Sequence, residues 1–457
     1  MVFSRRAILI IAVLMCFAAP GRCEAETPWR AGVAAAVITP DGPMWMSGYA
    51  SRDHVAEGTL HDLWAKALVL EDAQGHRAVL VTLDLVGIDR ETSRSICRRL
   101  KSDYGLDRSH VALATSHTHT GPVVGTNLTA MYFLDDEGMQ RVKDYTTQLQ
   151  DRVVKVVGEA IRNQKPATLH HGLGSAAFAV NRRNNREPDV PTLRERGELK
   201  GPVDHELPVL TVTDAEGRLD AIVFGYACHA TVLDFYQWSG DWPGFAQLEI
   251  QQRHPGAIAL FWAGCGADQN PLPRRTVELG RDYGRQIAEG IDAVLAKPME
   301  EIRGSLATHY REIDLAFGEL PTREQIEADT QSDNRYVASR ARMLLAQWEA
   351  NGALVPTYPY PVQVWRIGDD VTFVILGGEV VVDYSIRLKQ ELDHTRTWVA
   401  GYANDVMAYI PSLRVLNEGG YEGATAMIYY GLPTAWSAQV EEQIVGAVHS
   451  LLKPSDE

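Results

Sequence analysis

The sequence is poor in several things whose scarcity is informative. It has five cysteines in 457 residues, far below the density of a disulfide-built scaffold, so the fold must rest on apolar burial. It has no excess of basic charge: 44 Lys and Arg stand against 59 Asp and Glu, a net charge of -15. A surface that acidic argues against non-specific nucleic-acid binding and against an electrostatic hold on anionic membranes. It does not bear on a neutral or lipid-like substrate. Beyond the N-terminus no apolar run is long enough to span a bilayer. Internal repeats, low-complexity tracts and long Pro/Gly/Ser linkers are absent, as are a Walker loop, a dinucleotide fingerprint and a G-x-S-x-G elbow.

What is present is ordinary globular composition, 45% apolar and 23% charged. Residues 1–25 read as a Sec-type signal peptide: Arg5 and Arg6 precede the apolar run Ala7–Ala19, and small residues follow near Ala25. A retained N-terminal anchor is the alternative. The expectation is an exported, periplasmic or secreted protein whose mature body, 26–457, is one compact domain.

That body alternates strand and helix patterns. Strands are predicted at 65–70, 78–85, 111–114, 207–213, 220–227, 257–262, 362–367 and 371–376. Helices are predicted at 90–102, 136–164, 244–253, 321–350, 380–392 and 434–452. The mixture indicates an α/β fold, mixed sheets covered by helices. The polar stretch 182–206 reads as a long loop over a site.

Three strand ends deliver metal-type side chains. The first is Ser116-His117-Thr118-His119-Thr120-Gly121-Pro122, the second Ala227-Cys228-His229, and the third Leu376-Gly377-Gly378-Glu379. Each has a bland reading: a satisfied polar His, a strand-end His, and a Glu at a helix start favoured by the dipole. Together His, His and Glu make a common catalytic zinc set with an open position for water. Asp84 and Asp241 are candidate acceptors for the imidazole Nδ1–H groups, or turn residues. Asn127-Leu128-Thr129 is a glycosylation sequon, and His170-His171 lies on an apparent strand, expected to be exposed.

These segments resemble the neutral, non-lysosomal ceramidases. The resemblance is carried by His117-Thr118-His119 with Gly121-Pro122, His229 with Ser239-Gly240-Asp241, and Gly378-Glu379. Ala403-Asn404-Asp405 through Tyr409-Ile410-Pro411, with Tyr421-Glu422-Gly423-Ala424, completes it. It implies a zinc amidohydrolase with a lipid or small-molecule substrate, cleaving the N-acyl amide of ceramide-like lipids by zinc-bound hydroxide. The implied metal ligands are His117, His229, Glu379 and Tyr409. His119 would be the acid/base, Arg182 would point into the site, and Tyr421 would contact the scissile group. A zinc esterase or deacylase on another exported substrate is the alternative, and a non-catalytic zinc protein a second.

Two departures from the family stand out. Gly264 falls where the family has a hydroxyl residue, with Cys265 beside it as a replacement nucleophile or a buried small residue. The expectation is also of a catalytic domain alone, without the C-terminal immunoglobulin-like domain that the resemblance implies for the family. If the motif order holds, Cys228 and Cys265 line one pocket, where a disulfide would need Cα atoms within about 7 Å.

Overall fold

The computed structural model describes residues 29–453; the expected signal peptide lies outside them. The main sheet is built from β1 (Trp29–Val37), β2 (Trp64–Glu71), β3 (Arg77–Leu83), β4 (Val111–Thr115), β5 (Lys165–Ser175), β6 (Glu206–Asp214), β7 (Leu219–Tyr226) and β8 (Ile258–Ala263). Their order is β8-β7-β6-β5-β1-β2-β3-β4, with Glu300–Glu301 paired onto β5. The pairs β7/β8 and β3/β4 are parallel and the rest antiparallel. All five residues of β4 are buried, as expected for a parallel strand covered on both faces. A second sheet runs β9 (Leu306–Ala316), β10 (Thr357–Ile367), β11 (Val371–Leu376), β12 (Thr397–Ala400). The two sheets pack through an apolar layer that includes Leu68, Leu80, Trp262, Trp365, Phe373 and Trp398.

Helices cover the outer faces. In α1 (Arg90–Tyr104) the Asp89 side chain accepts from Thr92 N, and Gly105 takes the left-handed turn at the C-terminus. In α2 (Asp136–Arg162) Asp135 accepts from Gly138 N. The helix α3 (Asp241–Arg253) lies against β8 and against α4 (Val277–Leu295), which is capped by Thr276. The expected helix 321–350 is two, α5 (Arg323–Asp329) and α6 (Arg335–Asn351). Asn334 restarts the second by accepting from Tyr336 N. The 182–206 stretch is not all loop, since Val190–Arg196 is helical.

The two edge strands of the main sheet, β4 and β8, approach each other, and one segment closes the gap. After β12, residues 400–404 bond both edges: Gly401 N donates to Ala263 O, Thr115 N to Tyr402 O, and Asn404 N to Leu113 O. Beyond the strand ends, His119 N donates to Ala230 O at 3.2 Å. That bond ties the loop after β4 to the loop after β7. Chain segments far apart in sequence therefore end at one place.

Candidate metal centre

His117 leaves β4 with a left-handed backbone (φ 59°), a conformation that costs a non-glycine residue about 1 kcal/mol or more. The turn aims its ring inward. Its Nδ1 lies 2.6 Å from Val86 O, which fixes the ring proton on Nδ1 and leaves a lone pair on Nε2. His229, just past β7, repeats the arrangement with Nδ1 2.8 Å from Gly266 O. Burial, then the neighbouring Arg182 charge, pushes its pKa down to about 4. The neutral imidazole is therefore the resting form.

Glu379 arrives from β11 through Gly377 and Gly378. Its Oε2 lies 3.1 Å from His117 Nε2 and 3.2 Å from His229 Nε2. That oxygen is buried and receives no hydrogen bond. Two imidazole nitrogens and one carboxylate oxygen thus face one another. Two histidines and a glutamate converging in this way are a donor set suited to a metal ion. The residues fit a metal ion.

His119 is the third imidazole. The ligand atoms of His117, His119 and His229 all lie within 4.8 Å of one another, with His119 Nε2 at 3.2 Å from His117 Nε2. Its ring leans on Tyr49 (centroids 4.7 Å), and its Nδ1 is buried without a partner. Burial, reinforced by His117 and His229, holds its pKa well below the usual histidine range.

The expected tyrosine and arginine are also here. Tyr409 is buried, with its hydroxyl 3.4 Å from His229 Nε2 and accepting from Arg182 Nη2 at 3.1 Å. Arg182 further donates through Nε to Glu422 (2.7 Å) and through Nη1 to Asn270 (3.2 Å). Tyr421 stands at the mouth, 42% exposed, with its ring 5.2 Å from Tyr409 and 5.8 Å from the Arg182 guanidinium carbon. All seven expected residues therefore meet in one place.

Other expectations fail on geometry. Asp84 and Asp241 do not hold the imidazoles. Asp84 accepts from Trp64 N and Gln247, Asp241 from the Val232, Leu233 and Trp242 amides. Main-chain carbonyls take the Nδ1 protons instead. Asn127 is buried and donates to Val406 O at 2.7 Å, so the sequon is closed to modification. His171 is buried, not exposed, with its Nε2 3.6 Å from Glu300 on the paired strand. Cys228 and Cys265 are both free. Their backbones adjoin, since a Cβ on Gly266 would meet Cys228 N at 2.5 Å, but the side chains belong to different apolar clusters. Burial pushes the Cys265 thiol far up, which makes it a poor nucleophile. Gly264 lines a small pocket with Trp262, Lys389 and Trp398 that contains none of the seven site residues.

Residues 29–259 match the family described as neutral/alkaline non-lysosomal ceramidase, N-terminal. The chain belongs to that family. This ceramidase-family chain is 28% identical to neutral ceramidase from Pseudomonas aeruginosa, over 96% of its own length and 74% of the relative's. It is 28% identical to neutral ceramidase B from Dictyostelium discoideum, over 50% of its length and only 33% of that protein. The crystal structure of the Pseudomonas neutral ceramidase matches its fold with a TM-score of 0.72 at 22% identity, covering 93% of this chain and 74% of that one.

Sequence reading of this family member missed several contributors. Tyr430 donates to Glu379 Oε1, Tyr402 packs its ring 4.3 Å from that of His117, and Asn270 and Glu422 hold Arg182. Isolated polar residues give no periodic signal; only the left-handed backbone at Tyr402 (φ 53°) marks a special position, and that is a structural fact.

Proposed function

We propose that this chain is a zinc-dependent amidohydrolase that cleaves the N-acyl amide of ceramide-like lipids to a sphingoid base and a fatty acid. The observation that carries the reading is the convergence of His117 Nε2, His229 Nε2 and Glu379 Oε2, three potential donor atoms around one point. Together with the Tyr409 hydroxyl they would hold zinc. When bound, the ion supplies Lewis acidity and acidifies water toward a pKa of about 7.

The chain's own residues supply the rest. His119 is neutral and unpartnered at Nδ1, so it can take a proton from water and hand it to the leaving amine nitrogen as the C–N bond breaks. Arg182 is held on three sides by Glu422, Asn270 and Tyr409. It presents a fixed positive charge for the oxygen of the scissile carbonyl, which becomes an oxyanion in the transition state. Tyr421 at the mouth would bind the carbonyl or a neighbouring substrate hydroxyl. Water adds its oxygen to the acyl carbon, and the products are a carboxylic acid and an amine.

A lipid-like substrate is supported by a path of rings leading outward. Tyr409 meets Tyr421 at 5.2 Å, Tyr421 meets Tyr429 at 6.2 Å, Tyr429 meets Tyr336 at 5.2 Å, and Tyr336 meets Phe133 at 5.7 Å. Phe133 is 43% exposed. Aromatic faces in series offer apolar contact to a hydrocarbon chain at low entropic cost. Among the described residues no helix is long and apolar enough to cross a membrane. Residues 26–457 are proposed as one catalytic domain, exported after removal of 1–25.

Hydrolysis of fluorescent N-acyl-sphingosine, compared with simple acyl esters, tests the reading. Zinc-dependent release of fatty acid from the amide supports it. Turnover of esters alone would move the assignment to a zinc esterase, and zinc binding without turnover to a non-catalytic protein.

A further inference from the structure

We propose that Tyr430 is a positioning residue that reserves one oxygen of Glu379 for the metal. The inference rests on reading the site as a metal centre. A carboxylate has two equivalent oxygens and can face a cation with either or both. Here they are made inequivalent: Oε1 accepts the Tyr430 hydroxyl, and Oε2 faces the two imidazole Nε2 atoms with no donor of its own. The phenol thus occupies the oxygen that is turned away and keeps the carboxylate from swinging or chelating through both.

The phenol is itself held. Tyr430 ends the one-turn helix Met427–Tyr430, which Gly431 closes in a left-handed turn (φ 72°). That helix packs on the turn Thr129–Met131, and Tyr430 shares an apolar cluster with Val86, Leu128 and Met131. Val86 is the residue whose carbonyl fixes the His117 tautomer. One wall of the site therefore orients two donor atoms at once: the His117 Nε2 through a main-chain acceptor, and the Glu379 Oε2 through a side-chain donor. Groups that orient metal ligands in this way are worth about 10–100-fold in metal affinity.

The test is zinc affinity of the full chain, measured by competition with a chromophoric chelator, together with the visible spectrum of the cobalt-substituted protein. Tyr430→Phe keeps the ring and its packing; it is expected to weaken zinc about 10–100-fold and to alter the cobalt spectrum. Tyr430→Gln loses the ring but keeps a donor, and should bind zinc more tightly than Tyr430→Phe. In a Glu379→Gln background the Tyr430→Phe change should cost little. Equal losses in both backgrounds would mean a general packing effect and would overturn the proposal, as would tighter binding by the Phe than by the Gln variant. If the unsubstituted chain binds no zinc, the metal reading itself falls. If it binds zinc and Tyr430→Phe binds as tightly, only the role of Tyr430 falls.

Discussion

Glu379 and Tyr409 are direct register partners in a parallel ladder only two residues long, Glu379–Val380 beside Tyr409–Ile410. Neighbours across a parallel ladder share a face and stand about 4.8 Å apart. The ladder therefore presents a carboxylate and a phenol side by side to the two imidazoles. Trp436 Nε1 donates to Tyr409 O at 2.8 Å and Glu379 N to Ala408 O at 2.8 Å, which holds both strands in place.

Tyr409→Phe tests whether the phenol completes the donor set. The ring and the ladder survive the change, so the fold should be retained. Zinc affinity is expected to fall by about tenfold or more, read by chelator competition at fixed pH. Affinity equal to that of the parent chain would leave Tyr409 as a partner of Arg182 alone.

Arg182→Lys tests the fixed charge beside Tyr409. A guanidinium serves Glu422, Asn270 and Tyr409 together, whereas an ammonium on a flexible stem cannot reproduce that fork. Glu422 keeps a second partner in Arg183 Nη1 at 2.6 Å, so the local structure should hold. The expected result is zinc content unchanged and kcat/KM on N-acyl-sphingosine lowered about 100-fold to 1,000-fold. Kinetics within a factor of about two of the parent would remove Arg182 from the reaction.

How far the sequence revealed this site depends on what kind of signal each residue leaves. His117, His229 and Glu379 are legible because apolar runs break into polar turns just before them. Tyr409 was reached only through resemblance, since its pairing with Glu379 is a contact between remote segments. For the Nδ1 protons the sequence offered only Asp84 and Asp241 as candidates, with a turn role as their alternative, because a main-chain carbonyl, as at Val86 and Gly266, carries no sequence mark. In the fold, α4 went unseen for a related reason. Gly280, Gly284 and Gly290 dilute its helical pattern, yet Gly284 is needed: a Cβ there would lie 2.7 Å from Ala246 N of α3. Tertiary approach outweighed local propensity.

Gly264→Ser tests whether the family's hydroxyl position matters here. A Cβ at 264 would meet the Ala227 Cα, Cβ and N at 3.1 Å each, tighter than comfortable packing. The position also faces a pocket apart from the imidazoles. The substitution should yield no acyl-enzyme and no gain in turnover, and should cost about 1 kcal/mol or more of stability. Covalent acyl adduct on the variant, detected by mass spectrometry, would show that the segment can swing into the site.

Asp405 supplies a pH dependence with a definite sign. It is buried, its Oδ2 accepts from Tyr358 OH at 2.7 Å, and burial pushes its pKa from 3.8 up to about 7. Between those two values the folded chain holds a proton that the unfolded chain has released, so folding stability from this group falls as pH rises. Its contribution is full below about pH 4 and is lost by the time the pH passes about 7. Asp405→Asn keeps the shape and an acceptor for Tyr358 but cannot ionise. The variant should therefore match the parent near pH 4 and gain on it as pH rises, so that at pH 8 it unfolds at higher urea. Paired urea titrations at pH 4.5 and 8 measure the difference directly. A stability gap between variant and parent that stays constant across that range would place the ionisation of Asp405 at an ordinary pKa, and with it the carboxylate in contact with water.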